Sequence, residues 1–225
     1  MSNIGHSAAR AVASKAIDVV LKNVDKNREE GVCKLIDFMQ KYMSEEKLDV
    51  NYDKAREMVC NKDGAFNKYI NRVLDEVDPH VLKTMALNLG FEAFMYGTKT
   101  IRKNREKYDC NVPWLILMDP TSACNLHCTG CWAAEYGNRL NLTFDEMDKV
   151  VTQGKELGVY LYMFTGGEPL VRKKDLIRLC EKHNDCAFLS FTNGTLVDEA
   201  FCADMKRVGN LYLAISLEGF SEVND

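Results

Sequence analysis

Three thiols stand within eight residues in the run Cys124-Asn125-Leu126-His127-Cys128-Thr129-Gly130-Cys131, at C-x3-C-x2-C spacing with no fourth cysteine close behind. Thiolates are soft ligands that suit zinc or iron–sulfur centres. A closed zinc site or an ordinary iron–sulfur electron carrier takes four protein ligands. Three thiolates on an iron–sulfur cluster leave one iron open to a small molecule. Three more polar motifs carry chemistry of their own: Thr165-Gly166-Gly167-Glu168-Pro169, Thr192-Asn193-Gly194-Thr195 and Ser216-Leu217-Glu218-Gly219. Gly166 and Gly167 allow a sharp turn and a close backbone approach to a ligand. Pro169 biases Glu168 toward extended backbone, with carbonyls free to receive an ammonium group. Ser216 and Glu218 pair a hydroxyl with a carboxylate, which suits a diol. Asn193-Gly194 is a turn signal by itself, so a structural role for Asn193 weighs as much as a ligand contact.

The elements that must position these motifs change character along the chain. From Pro113 onward, four short apolar runs read as buried parallel strands: Trp114 to Met118, Val159 to Phe164, Ala187 to Phe191 and Leu211 to Ile215. Helical patterns lie between them at 144–157, 172–183 and 198–208, the first opened by a capping box at Thr143-Phe144-Asp145-Glu146. Strands alternating with helices make repeated βα units and a parallel sheet. Every polar motif directly follows the C-terminal end of a strand, the rim on which a βα barrel builds its site. Residues 1–109 instead read as helices only. One over 7–23 carries a stripe of Ala8, Val12, Ala16, Val19 and Val20. Another over 28–43 turns Val32, Leu35, Ile36, Met39, Tyr42 and Met43 to one face. Helices over 52–60 and 64–76 follow, and Asp78-Pro79 opens a segment over 80–107 that Gly90 and Gly97 bend or split. The fold class is α/β: a partial (βα) barrel of the TIM-like type over 112–225, preceded by an all-helical region over 1–109.

Composition narrows the setting. The chain has 225 residues, 46% apolar and 28% charged, which reads as a globular protein with a real core. A net charge of −4 gives no general reason to expect nucleic acid, and no apolar run is long enough to span a membrane. The basic stretch Lys99, Arg102, Lys103, Arg105 and Lys107 reads as a favourable helix end. Nine unpatterned cysteines without a secretory leader point to reduced thiols and a cytoplasmic protein. Cys33, Cys180 and Cys202 fall in helical patterns as small buried hydrophobes, while Cys110 and Cys186 are open as a fourth ligand.

Taken together, the cysteine run, Gly-Gly-Glu-Pro, Thr-Asn-Gly and Ser-Leu-Glu-Gly resemble, in order and interval, the first four βα units of a radical S-adenosylmethionine (SAM) enzyme. The resemblance covers residues 112–225 and implies six βα units in all, so the sequence reads as lacking the last two strands. It implies that Cys124, Cys128 and Cys131 bind three irons of a [4Fe–4S] cluster whose fourth iron chelates SAM. It also implies SAM contacts from Gly166, Gly167, Glu168, Pro169, Asn193, Ser216 and Glu218, and a one-electron reductant such as flavodoxin or ferredoxin. The substrate, a peptide or a small molecule, is not implied. Many family members carry an aromatic residue just before the third cysteine; here Gly130 stands there and Trp132 follows. His127 reads as loop filler or a cluster cover, while Trp132, Glu135 and Tyr136 extend the loop as a shield or a substrate contact. The alternatives are an iron–sulfur electron-transfer module with a fourth cysteine, and a structural zinc module.

Overall fold

A computed structural model describes residues 3–23, 27–43, 51–131, 133, 137, 139–217, 219 and 220. The N-terminal half is helical, as expected: α1 (Asn3–Asn23), α2 (Arg28–Tyr42), α3 (Tyr52–Cys60), α4 (Ala65–Glu76), α5 (Pro79–Met85) and α6 (Thr98–Tyr108). Side-chain caps start three of them: Asn27 accepts from the Glu30 amide, Asn51 from Lys54 and Asp78 from His80, with Pro79 in the first turn. Between α5 and α6 the helix is not broken at Gly90 or Gly97. It runs on as a π-helix over Ala86–Gly97, and Gly97 keeps right-handed helical angles. The wider turns let one rod face two cores. Leu87, Phe91 and Met95 pack with Ala13, Ile17 and Met43, whereas Leu89, Ala93 and Tyr96 pack toward the sheet.

Most of the Ala/Val stripe of α1 points outward, Val20 excepted. Val12 and Val19 are each 59% exposed, while Ala13, Ile17 and Val20 are buried. The inward face includes two polar residues, His6 and Arg10, so a count of apolar spacing alone rotates the helix away from its true face.

The four strands form one parallel sheet in the order β1 (Leu115–Met118), β2 (Leu161–Phe164), β3 (Ala187–Thr192), β4 (Leu211–Ile215). Sequential order with helical crossovers is the barrel pattern, because crossovers of one hand put every helix on the same face. These helices are α7 (Phe144–Leu157), α8 (Lys173–Lys182, entered through a 3-10 turn over Pro169–Arg172) and α9 (Glu199–Val208). Thr143 and Glu146 complete the expected capping box. Met147, Val151, Tyr162, Phe164, Leu176, Leu179 and Phe188 are fully buried and form the main core. Leu117 and Phe191 are 53% and 39% exposed, leaving part of the sheet surface open.

The helical half closes the opposite end of the sheet from the polar motifs. Asn88 donates to the carbonyls of Asn184 (2.8 Å) and Cys186 (2.9 Å), just before β3. Asn104 reaches the Glu156 and Leu157 carbonyls before β2, and the His80 ring bonds to the Arg207 carbonyl before β4. At the centre of this contact Glu92 is fully buried, bonded to His6 Nε2 at 2.8 Å and Arg10 Nη1 at 2.6 Å. Arg10 also donates to Asn88 at 2.9 Å, so α1, the π-helix and the base of β3 share one polar network. Removing one member of a buried ion pair strands the other's charge, at a cost of about 3–5 kcal/mol. Arg10→Met should therefore lower the urea-unfolding free energy of the apoprotein by about 3 kcal/mol; an unchanged value would contradict the role given to this network.

Candidate functional site

Beyond β1 the chain enters the cysteine loop through a closed neck. The Ser122 amide donates to the Leu140 carbonyl (2.8 Å), Leu142 to Pro120 (3.1 Å), and Thr121 pairs antiparallel with Asn141. The buried Thr121 hydroxyl donates to Asn141 Oδ1 at 2.6 Å. Arg172 clamps both sides of the neck, donating to Pro120 (3.1 Å) and Leu142 (2.8 Å). Within the loop Cys124 is half-buried, Cys128 and Cys131 are exposed, and all three are unpaired thiols. The Cys131 amide donates to the Cys128 carbonyl at 3.2 Å, and Leu126 directs its amide at the Cys124 sulfur at 3.4 Å. Gly130 has φ +77°, a conformation that an aromatic residue at this point would resist.

Among the described residues, no three His, Cys, Asp or Glu side chains are grouped to hold one metal ion. Three free thiols on one anchored loop form a soft donor set that suits an iron–sulfur centre.

The Gly-Gly-Glu-Pro turn after β2 is fastened to that loop through backbone. Thr165 donates to Met118 (3.0 Å), Gly167 to Thr121 (3.0 Å) and Glu168 to Ala123 (2.8 Å). A Cβ on Gly166 would lie 2.6 Å from the Thr121 carbonyl oxygen, and one on Gly167 would lie 2.6 Å from that of Ser122. The close approach observed is to the chain's own residues 121–123. Glu168 is extended (φ −112°, ψ 108°), as Pro169 requires, and only 2% exposed. Its carboxylate accepts from the Leu170 amide (2.9 Å), the Thr192 hydroxyl (2.8 Å) and the Asn193 amide (2.9 Å). All three donors are neutral.

The Thr-Asn-Gly turn thus meets the Gly-Gly-Glu-Pro turn through Glu168, and the Ser216 amide joins them through the Thr192 carbonyl at 2.9 Å. The Ser216 side chain is exposed, while Glu218, Trp132, Glu135 and Tyr136 lie outside the described residues. A cavity of about 500 Å³ opens between the loop neck and the glycine turn, walled by Asp119, Thr121, Ser122, Arg139, Asn141, Gly166 and Gly167. Sequence reasoning gave no role to Thr121, Asn125, Asn141 or Arg172. Asn125 was visible inside the cysteine run, but the partners of the other three are fixed only by the fold.

The remaining cysteines are elsewhere. Cys186 immediately precedes β3 and Cys110 precedes β1, so both stand at the strand ends remote from Cys124. Cys180 and Cys186 are fully buried, which pushes both thiols well above their ordinary range. Cys202 is exposed rather than buried, because it falls on the outer face of α9. Cys33 is half-buried, and burial pushes its thiol up to about 11; its sulfur lies 3.8 Å from that of Cys60.

Comparison with known proteins points to the same family as the motifs. The model described as "Radical SAM superfamily" matches residues 118–225, just under half of the chain. The chain is 30% identical over 142 residues to Fe-coproporphyrin III synthase of Methanosarcina barkeri, covering 60% of this chain and 35% of that protein. It is 30% identical over 115 residues to PqqA peptide cyclase of Bradyrhizobium diazoefficiens, covering 49% and 30%. It therefore spans about a third of the length of the curated relatives it matches. Among solved structures, SuiB of Streptococcus suis with S-adenosylmethionine overlaps at TM-score 0.48 and 18% identity, covering 71% of this chain and 38% of that one.

Two outcomes follow from the geometry. Iodoacetamide at about pH 8 should label the exposed loop thiols Cys128 and Cys131 in the native apoprotein but leave Cys180 and Cys186 silent until denaturant is added. Native labelling of either buried thiol would contradict their burial. Gly167→Ala should push residues 122–123 aside and destabilise the apoprotein by about 1–3 kcal/mol. Unaltered stability would mean that the glycine turn is not packed against the cysteine loop.

Proposed function

We propose that this chain carries the cofactor-binding part of a radical SAM enzyme, with Cys124, Cys128 and Cys131 as the three protein ligands of a [4Fe–4S] cluster. When bound, that cluster supplies an electron to SAM, yielding methionine and a 5′-deoxyadenosyl radical that takes a hydrogen atom from a substrate. The chain's own residues hold and orient. The turn at Gly166, Gly167, Glu168 and Pro169 receives the SAM ammonium group. Glu168 suits this task because its buried carboxylate is fixed by three neutral donors and has no cationic partner among them. Ser216 and Glu218 take the ribose hydroxyls, and Asn193 keeps the Thr-Asn-Gly turn beside them. The electron comes from a one-electron donor of the flavodoxin or ferredoxin kind.

The observation that supports this reading is the backbone ladder that sets the Gly-Gly-Glu-Pro turn beside the cysteine loop. An electron carrier would need a fourth cysteine, and the two candidates for it stand at the far ends of their strands. The substrate stays at the level of class, a peptide or a small molecule. Relatives are named for Fe-coproporphyrin III, for the PqqA peptide and, in Desulforamulus reducens, for GTP, which favours no single class.

The full-length protein, reconstituted anaerobically with iron and sulfide and given SAM and dithionite, should form methionine and 5′-deoxyadenosine. Cys128→Ala should abolish that product and lose bound iron. A wild-type protein loaded with cluster that releases no 5′-deoxyadenosine would sink the proposal.

A further inference from the structure

Three side chains close a ring of hydrogen bonds between the cysteine loop and the Thr-Asn-Gly turn. Asn125 donates its Nδ2 to the Thr195 hydroxyl oxygen at 2.8 Å. That hydroxyl donates to Asn193 Oδ1 at 2.6 Å, and Asn193 returns its Nδ2 to Asn125 Oδ1 at 3.0 Å. Each member gives one hydrogen bond and takes one, so reversing either amide would set donor against donor. Such closed chains polarise one another and hold better than isolated pairs. Asn193 Oδ1 also accepts from the Thr195 amide at 3.0 Å, which fixes the turn itself.

The ring ends where the Gly-Gly-Glu-Pro turn begins. Asn193 donates its amide to Glu168 Oε2, Thr192 gives its hydroxyl to Oε1, and the Glu168 amide donates to Ala123. Cys124 is therefore pinned on both sides: through Ala123 by the backbone ladder, and through Asn125 by the side-chain ring. Both routes meet at Glu168. We infer that Asn125, Asn193 and Thr195 are positioning residues that hold Cys124 at a fixed separation from Glu168. Resting on the function proposed above, the ring keeps the cluster and the turn that receives the SAM ammonium group in one register. The amide oxygen and nitrogen of Asn193 both take part in the ring, which makes it a brace.

Asn125 and Thr195 are exposed, so the ring adds little to global stability and its loss should read out locally. The discriminating pair is Thr195→Val, which keeps the shape without the hydroxyl, and Thr195→Ser, which keeps the hydroxyl. In cluster-loaded full-length protein, anaerobic equilibrium dialysis should find SAM bound about tenfold more weakly by Thr195→Val. Thr195→Ser should match the wild type, with equal iron and sulfide in all three. In the cluster-free protein, hydrogen exchange over 192–196 and 124–127 should quicken in Thr195→Val and Asn125→Ala but not in Thr195→Ser, and the unfolding midpoint should stay put. The double variant should add nothing to either single one. SAM binding by Thr195→Val at the wild-type level, or exchange no faster than in Thr195→Ser, overturns the inference. A cluster-loaded wild type that binds no SAM overturns the proposed function instead, while the exchange measurement still reports on the ring.

Discussion

The backbone ladder between Gly166–Glu168 and Thr121–Ala123 organises the candidate site. Two motifs widely separated in sequence come together because the turn after β2 donates its amides to the strand-end carbonyls that lead into the cysteine loop. No side chain could do this at the same distance: the carbonyl oxygens approach the positions that a Cβ would fill. Once the ladder is closed, Glu168 must turn inward. There it finds the Leu170 amide, the Thr192 hydroxyl and the Asn193 amide. A buried carboxylate without such donors would be left with unsatisfied polar atoms. The ladder thus determines the backbone geometry and, through Glu168, the electrostatics of the site.

The other end of the molecule uses a different interaction for a similar purpose. The π-helix over Ala86–Gly97 meets the base of the sheet, and Asn88 ties it to the start of β3. Glu92, inside that contact, holds His6 and Arg10 of α1. The helical half is therefore a base for the sheet, and the rim that carries the cysteine loop is left free. Buried charges contribute less to net stability than to fixing one arrangement. That suits a rod whose two apolar faces could otherwise slide between two cores.

The strands and the rim were legible in the sequence because their signals are local. Continuous runs such as Leu115–Met118 and the Thr143 capping box need no knowledge of what lies across the sheet. The polar motifs were also legible as strand-end features. Long-range partners were not. The outward rotation of Val12 and Val19 follows from two polar residues on the buried face of α1, and their partner Glu92 lies more than eighty residues away. The glycines of the turn were legible as sites of close approach, but only the fold brings residues 121–123 against them. Arg172 fell within a helical pattern, and nothing in its spacing signals that it clamps the neck of the cysteine loop.

Low-temperature electron paramagnetic resonance of the dithionite-reduced, cluster-loaded full-length protein, recorded with and without SAM, addresses the central claim most directly. An iron left open by three cysteine ligands and facing the Glu168 turn should bind SAM, so the g-values of the reduced cluster should move when SAM is added. A cluster signal of full intensity that is indifferent to saturating SAM would contradict the account and return the site to a carrier of electrons.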